Sequence, residues 1–526
     1  MPLELTVPAE RTAPPKDLEI RPKQAKAWLD ALPLAQSVES ARQIRTKLAA
    51  MSRSKIEADD RVLLLEAYQP VVAMLLEELD AIYSKSQLPL TPKAREALDL
   101  ARAITSDVAH GYKIVILEKT GKLIAFGAKK QLPLLIYRTM DAVASAIRAA
   151  YKSYTPLAPG LWKDMHQLYL LADKDGLLNE SPDAEIRITI GELYTESLLL
   201  SLTDPYRLVQ GEVDKTISMI RANKGLATLG KVKPATRESA HFLVPCDTDR
   251  PPKPAASASD DTGGPNWRLF DVNPLADQLK KRKQALETGN VSATMSRATG
   301  LDGMLLLAKL ITLWGDPPKR AYRRDPMETS VAICAGLRTI GHFVSQEPKV
   351  DPAVEAAAIQ SGITLPLLVV PDDDVSQGLQ VSEWEVVNQS AGGLKVKRTS
   401  ASSQNIAVGE ALGIKFMGRA RWTIGVVRWL TAQDDGGMEF GIQFLAPAAR
   451  MVAVTPTITA SGTVKLGLLL HESEQSTQAD TLLTPPSTYS DLREYEIDDD
   501  GEVSCARATS LIEKTARFEL FHISPS

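Results

Sequence analysis

Cysteines and long apolar runs are scarce in this sequence, and each scarcity excludes a class of structure. The three cysteines among the 526 residues lie far apart and form no CxxC pair: Cys246, Cys334 and Cys505. This spacing argues against a disulfide framework or a zinc site and fits a reducing cytosol. No apolar run reaches membrane-spanning length, and residues 1–15 carry acidic side chains and prolines where a signal peptide needs an apolar stretch. We therefore expect a cytoplasmic protein without direct membrane insertion.

The sequence also lacks a strong charge of either sign and the short motifs of common enzyme classes. Its formal net charge of -4 provides no global basic field for a nucleic acid polymer. The six histidines are scattered and form no HExxH motif, which disfavours a metal hydrolase. Residues 121–127 fail the spacing of a phosphate-binding P-loop, and no GxSxG motif occurs. We expect no catalytic site, no bound metal and no cofactor.

Helical periodicity dominates the N-terminal half. After a flexible arm at residues 1–20, apolar residues recur at three- and four-residue steps or their sums, as in Val62, Leu65, Val72, Leu75, Leu79 and Ile82. Pro70 lies inside that stripe and is expected to kink or split the helix. Residues 112–126 fit two short strands as well as a helix end followed by a loop. The pattern predicts an α-helical domain over residues 21–230, built as a bundle or as an array of helical hairpins.

The composition changes sharply at residues 250–266, which are rich in Pro, Ser, Ala, Asp and Gly. Such a composition is typical of a flexible linker or an exposed loop. Residues 267–316 are predicted to form a helical connector, and the basic run at residues 280–283 on it is interpreted as a solvated face.

Short alternating segments rich in β-branched residues fill the chain after Pro317. Those before residue 450 are residues 330–334, 380–387, 394–397, 411–416, 423–429 and 438–444. Gly, Asp and Asn separate them, which predicts an antiparallel β-barrel over residues 317–450. Further short strands over residues 451–526 predict a small C-terminal β-module. The fold class is therefore multidomain α+β, with the helical domain first and the barrel and β-module after it.

Two short clusters in the β-rich half carry groups suited to an anionic nucleotide. The first is Arg320-Ala-Tyr-Arg-Arg324, just before the first barrel strand, and Lys319 and Arg323 add to its charge. A guanidinium is a planar fork that can grip a phosphate with two hydrogen bonds. The same fork matches the O6 and N7 acceptors of guanine.

The second cluster, residues 388–393, follows the strand SEWEVV and has the form NxSxxG. Asn388 offers a donor and an acceptor to a base edge, and Ser390 offers a hydroxyl to a phosphate or a base. The glycines at 392 and 393 permit positive φ and a close approach of the backbone to a ligand. Each cluster alone is more often a solvated surface or an ordinary turn.

Together and in this order, the clusters resemble the motifs of the PilZ domain family, an RxxxR motif before a barrel and a [D/N]xSxxG motif on an early strand. Residues 425–429 (GVVRW) and 441–444 (GIQF) also resemble PilZ strands. The resemblance covers roughly residues 318–447. In the same region Trp422 and Trp429 are expected to belong to the barrel core and not to a stacking platform, although Trp422 fits either role.

The resemblance implies a six-stranded barrel that binds cyclic di-GMP as its ligand. The residues it implies for binding are Arg320 and Arg324 for phosphate and guanine, Asn388 and Ser390 for a guanine base, and Gly393 for space, with Lys319 and Arg323 secondary. One departure is a long insertion at residues 345–378, with a predicted helix at 352–360 and an acidic turn at 372–374. This insertion is interpreted as a lid, a dimer contact or a partner surface, or as a sign that the site is degenerate.

Two hypotheses of different classes follow. In the first, the chain is a cytoplasmic bacterial cyclic di-GMP receptor that signals through its helical region or a partner protein, controlling motility, pili, adhesion or exopolysaccharide. In the second, it is a scaffold whose barrel has lost the ligand and whose helical region is the interaction surface. An enzyme in the N-terminal half is a weaker third option, with no residues to carry it.

Overall fold

A computed structural model describes most of the chain, and it divides into two compact units. The described residues are 3–8, 12–121, 128–182, 187–232, 240–257, 264–288, 293–317, 323–347, 379–398, 404–457, 463–471 and 480–526. The first unit comprises Met1–Ser86 and Leu90–Lys319, and the second comprises Gln87–Pro89 and Arg320–Ser526. The helix predicted at 352–360 and the acidic turn at 372–374 lie outside the described residues.

The first unit is mainly helical, as the periodicity predicts. Its α-helices are α1 (Pro22–Asp30), α2 (Ser37–Arg53), α3 (Ala58–Tyr83), α4 (Pro92–Gly121), α5 (Ala128–Lys152), α6 (Leu161–Lys174), α7 (Ile190–Ser201), α8 (Glu212–Ala222), α9 (Asn273–Glu287) and α10 (Ala293–Gly315). One apolar core joins them, and Leu75, Ile104, Met140 and Leu168 are fully buried in it. Burial of one stripe on each helix is what makes helices of this length stable in water.

The structure answers two questions that the sequence left open, the effect of Pro70 and the conformation of residues 112–121. Helix α3 runs from Ala58 to Tyr83 with Pro70 inside it, so proline does not split the helix. Buried Tyr68 and Val72 flank the proline, and their burial offsets its cost of about 3 kcal/mol. Helix α4 continues to Gly121, so the strand alternative for residues 112–121 is wrong. Residues 122–127 lie outside the described part of the chain.

A small antiparallel sheet lies between α8 and α9 in the sequence. Its strands are β1 (Thr228–Lys231), β2 (His241–Pro245), β3 (Lys253–Pro254) and β4 (Trp267–Asp271), in the spatial order β1-β4-β2-β3. Strand β2 is buried along its whole length. Because β3 pairs with β2 and Ala255 is buried, residues 253–255 are part of a packed sheet rather than of the exposed linker that composition predicts.

The second unit begins with a closed six-stranded antiparallel barrel, here called the first barrel. Its elements are β5 (Asp325–Ala335), α11 (Leu337–Ser345), β6 (Val381–Ser390), β7 (Gly393–Arg398), β8 (Ala411–Phe416), β9 (Thr423–Ala432) and β10 (Met438–Ala446). The strands close in the order β10-β7-β6-β5-β8-β9. Alternate residues fill the interior, where the rings of Trp384 and Phe440 meet edge to face with centroids 4.7 Å apart. The predicted barrel is confirmed.

The C-terminal residues form another closed barrel, here called the second barrel. Its strands are β11 (Ala448–Pro456), β12 (Lys465–His471), β13 (Thr481–Thr484), β14 (Glu494–Asp499), β15 (Glu502–Lys514) and β16 (Glu519–Pro525). They close in the order β11-β12-β13-β16-β15-β14, with Val454, Leu482, Tyr495 and Phe521 inside. The β-module predicted from short strands is thus a complete barrel without free edges.

The two barrels share an apolar core of their own. Helix α11 contributes Phe343, whose ring lies 5.5 Å from that of Trp422 in the first barrel. Leu468 and Leu520 of the second barrel join the same cluster. Trp422 is therefore buried, as expected, but in the core between the barrels. Among the described residues, no helix combines the length and apolarity required to cross a membrane.

Candidate functional site

The turn between β6 and β7 presents the second of the two sequence clusters. Ser390 pairs with Gly393 across the turn, and the Ser390 Oγ donates a hydrogen bond to the Gly393 carbonyl oxygen at 3.2 Å. The backbone N–H of Phe444 on β10 donates to the Gly392 carbonyl oxygen at 3.0 Å. The turn is therefore fixed by a hydrogen bond within the β6–β7 hairpin and by another from β10.

Gly393 is required at this turn by space and not by its backbone angles. Its φ does not lie in the left-handed region, contrary to the expectation from the glycine pair. A Cβ atom at this position would instead collide with the carbonyl oxygen of Ile442 and would lie 3.2 Å from the Gln443 Cα. The glycine thus lets β7 and β10 approach closely beside the turn.

Strand pairing brings part of the arginine cluster to this turn. Asp325, the first residue of β5, pairs with Gln389, and Pro326 pairs with Asn388. Arg324 precedes Asp325, so its backbone lies at the level of Ser390 on the neighbouring strand. Arg324 is exposed, and so is Arg323, whose Nε lies 3.6 Å from the Asp325 carboxylate. Arg320 and Lys319 lie outside the described residues.

A row of side chains extends from Asn388 across the outer face of the first barrel. The strand registers place Asn388 opposite Lys395, Lys395 opposite Gly441, and Gly441 opposite Trp429. Side chains at such paired positions share one face of a sheet. The Lys395 Nζ lies 5.7 Å from the centroid of the Trp429 ring and 2.9 Å from the Glu439 carboxylate. The row therefore combines an amide, an ammonium and an indole face.

Sequence reasoning missed Lys395 and placed Trp429 wrongly. Trp429 is half-buried, and its ring covers Gly441, where a Cβ atom would collide with the indole nitrogen. It is therefore not part of the interior core. A β-bulge beside Trp429 in the β9–β10 pair shifts the alternation and turns this side chain outward. The sequence signal for this position was Gly441, which pairs with Trp429. A side chain at Gly441 would leave no room for the Trp429 ring to lie over the strand.

Asn388 carries an unsatisfied acceptor. Its Oδ1 is buried and has no hydrogen-bond partner among the described residues. Such a group costs about 1–3 kcal/mol in the empty protein. A ligand with N–H donors, such as the Watson–Crick edge of guanine, would satisfy it. Together with an exposed arginine and the outward ammonium, the site suits a planar base attached to a phosphate.

Known protein families match nearly the whole chain. Three family models match consecutive parts: the N-terminal domain of "Cyclic-di-GMP receptor FimW" at residues 23–235, its middle PilZ domain at residues 241–362 and 371–450, and the "FimW C-terminal beta-barrel domain" at residues 452–526. The middle match begins at the small sheet, before the barrel, and leaves out residues 363–370 within the predicted insertion.

A known relative matches this chain over nearly the full length of both proteins. The "Cyclic-di-GMP receptor FimW" of Pseudomonas aeruginosa is 22% identical over 561 residues, which cover 95% of this chain and 90% of the relative. The resemblance inferred from the two motifs is confirmed by these matches. The chain therefore contains a PilZ domain, which lies between an N-terminal helical domain and a C-terminal β-barrel domain.

Proposed function

We propose that this protein is a receptor for cyclic di-GMP and that the ligand binds on the outer face of the first barrel, beside the turn between β6 and β7. The observation that carries the proposal is the buried, unsatisfied Asn388 Oδ1 on the strand that pairs with the start of β5, directly after Arg324. The relative that matches along almost the whole chain has a name that states cyclic di-GMP reception.

Each group has a role that follows from its chemistry. Asn388 accepts a hydrogen bond from a guanine N–H, and Ser390 offers its hydroxyl to the ligand. Gly393 keeps the turn free of a side chain. Arg324, together with Arg320, binds phosphate oxygens and the O6 and N7 atoms of a guanine, with Lys319 and Arg323 adding positive charge.

We add two residues to this proposed set. Trp429 offers an indole face on which a guanine base can stack, a contact worth about 1–3 kcal/mol. Lys395 lies near that ring and places a positive charge in the same row as Asn388. A nucleotide lying along the row would therefore meet hydrogen-bonding, stacking and charged groups in succession.

Binding would change the protein at the connection between its units. Arg320 and Arg324 lie in the segment between α10 and β5. A ligand held by both arginines favours one conformation of this segment and thereby biases the packing of the helical region. We infer that the protein acts in the cytoplasm as a receptor without catalytic activity. It would pass the signal to a partner protein through the helical region, in control of motility, pili, adhesion or exopolysaccharide.

Calorimetric titration with cyclic di-GMP tests the proposal. The natural protein should bind saturably, and the variant Arg320→Ala/Arg324→Ala should bind at least tenfold more weakly, since each charged contact contributes about 1–3 kcal/mol. Arg338→Ala, which removes an exposed arginine from α11, serves as the matched control and should bind like the natural protein. A natural protein without saturable binding would show that the barrel is not a receptor and would favour the scaffold.

A further inference from the structure

Arg428 joins the first barrel to the second barrel next to the candidate site. It lies on β9, beside Trp429, and its Nε donates a hydrogen bond to the Gln443 Oε1 at 2.7 Å. Its two terminal nitrogens donate to the two carboxylate oxygens of Glu513 on β15, with 2.8 Å between Nη2 and Oε2. All three guanidinium nitrogens therefore donate hydrogen bonds. The Nε atom donates within the first barrel, and the two terminal nitrogens donate to the second barrel.

Gln443 is packed directly against the turn between β6 and β7, beside which the ligand is proposed to bind. It pairs with Gly393, and the missing Cβ of Gly393 brings β7 against the backbone of residues 442–443. The following residue, Phe444, donates its N–H to the Gly392 carbonyl oxygen. A displacement of β10 at these residues would move the turn that carries Ser390, because no side chain lies between the two backbones to absorb it.

The polar contacts form an unbroken series from the second barrel to the site. Glu513 holds Arg428, Arg428 holds the side chain of Gln443, and the backbone of Gln443 supports Gly393. The side chains of Arg428 and Glu513 are 31% and 20% exposed, so water screens their ion pair only in part. A bidentate guanidinium–carboxylate pair fixes direction as well as distance, which a single ammonium contact does not.

We propose that Arg428 and Glu513 are positioning residues for the ligand site, so that the second barrel contributes to the affinity for cyclic di-GMP. The inference rests on the proposed function and extends it. Glu513 holds Arg428 against Gln443, and this contact keeps residues 442–444 and the turn in the geometry that binds the ligand. Preorganisation of this kind raises affinity by removing an ordering cost from the binding step.

Measuring the melting temperature and the affinity for cyclic di-GMP of the same variant distinguishes a positioning role of Glu513 from a structural one. The affinity of the folded protein is the readout that a purely structural role would not change. Neutralising Glu513 should therefore weaken ligand binding under conditions in which the protein is fully folded, whatever the change in its melting temperature. A clamp that only held the barrels together would lower the melting temperature and leave the affinity of the folded protein unchanged.

The experiment is a calorimetric titration of the full-length protein with cyclic di-GMP. We expect Glu513→Gln and Arg428→Lys each to bind about fivefold more weakly, a typical size for coupling between sites. The double variant should bind no more weakly than Arg428→Lys alone, because both changes break one series of contacts. Glu494→Gln, which breaks the ion pair with Arg507 on the same barrel, is the control and should bind like the natural protein.

Other outcomes overturn the inference in distinguishable ways. Unchanged or tighter binding by Glu513→Gln would show that the second barrel does not support the site, while the proposed receptor function would stand. Additive losses in the double variant would show that the two residues do not act through one series of contacts. Absence of binding by the natural protein would overturn both this inference and the proposed function.

Discussion

The carbonyl oxygen of Ile442 stands where a Cβ atom of Gly393 would have to be. This single relationship explains why the motif ends in glycine, since the constraint is the neighbouring strand and not the shape of the turn. It also means that the turn between β6 and β7 lies directly against the backbone of β10.

The first prediction concerns that close approach. Gly393→Ala should destabilise the second unit by about 3 kcal/mol, because two backbones must separate to admit one methyl group. Urea unfolding of the full-length protein would measure the loss. Gly418→Asn is the control, since Gly418 has a left-handed φ of 79° with no neighbour within 4 Å of a Cβ atom, and asparagine tolerates that conformation. Equal stability of the Gly393 variant and the natural protein would contradict the prediction.

The second prediction concerns the indole face. Trp429→Ala should weaken cyclic di-GMP binding about tenfold through the loss of base stacking, whereas Trp429→Phe should retain most of it. Calorimetry gives the affinities. Trp267→Ala is a matched control, because Trp267 is another half-buried tryptophan close to a lysine but lies in the first unit. A Trp429→Ala variant that binds normally would remove this ring from the site.

The third prediction exploits the unsatisfied acceptor. Asn388→Leu keeps the branching of the side chain and removes the buried oxygen, so the ligand-free protein should gain about 1 kcal/mol of stability. The same variant should lose cyclic di-GMP binding, because the acceptor for a guanine N–H is gone. Thermal unfolding with and without ligand would show both effects. A ligand-free variant less stable than the ligand-free natural protein would contradict the prediction. It would show that the Asn388 oxygen accepts a stabilising hydrogen bond within the protein.

The fourth prediction concerns pH and the helical unit. His166 is buried, its Nε2 donates to the Arg250 carbonyl oxygen at 2.8 Å, and its Nδ1 accepts from the Tyr194 hydroxyl at 2.7 Å. Burial lowers the pKa of His166 from 6.5 to about 4, although the bond to Arg250 acts in the opposite direction. Between these two pKa values His166 is protonated in the unfolded chain and neutral in the folded chain. The free energy of unfolding therefore falls as the pH is lowered from 6.5 to about 4.

The loss between pH 7.5 and pH 4.5 should be about 2–3 kcal/mol, given about 1.4 kcal/mol for each unit of pKa difference. Urea unfolding followed by circular dichroism at 222 nm, at pH 7.5 and pH 4.5, would measure it. His166→Gln cannot take up a proton and should show a smaller loss over the same interval. Equal pH dependence of the two proteins would show that His166 does not stay neutral in the fold.

Helices, first-barrel strands and the two PilZ-like sequence motifs were predictable because each depends on neighbours in the sequence. An apolar stripe at Val62, Leu65 and Val72 marks a helix face whatever lies opposite, and strict alternation marks a barrel strand. The sequence pattern was not sufficient where a longer-range feature intervened. A β-bulge turns Trp429 outward, contrary to the expectation, and the packed helical core selects the helix from the two alternatives left open for residues 112–121.

The sequence by itself determined the class of the protein, because the RxxxR and NxSxxG motifs and the alternation of the strands are local patterns that depend on residue type. Only the tertiary structure decided how the second barrel closes, which residues share a row with Asn388, and how Arg428 joins Glu513 to Gln443. The physical reason is that register, bulges and closure depend on pairing between strands far apart in the chain. A change of one residue in register moves every side chain to the opposite face.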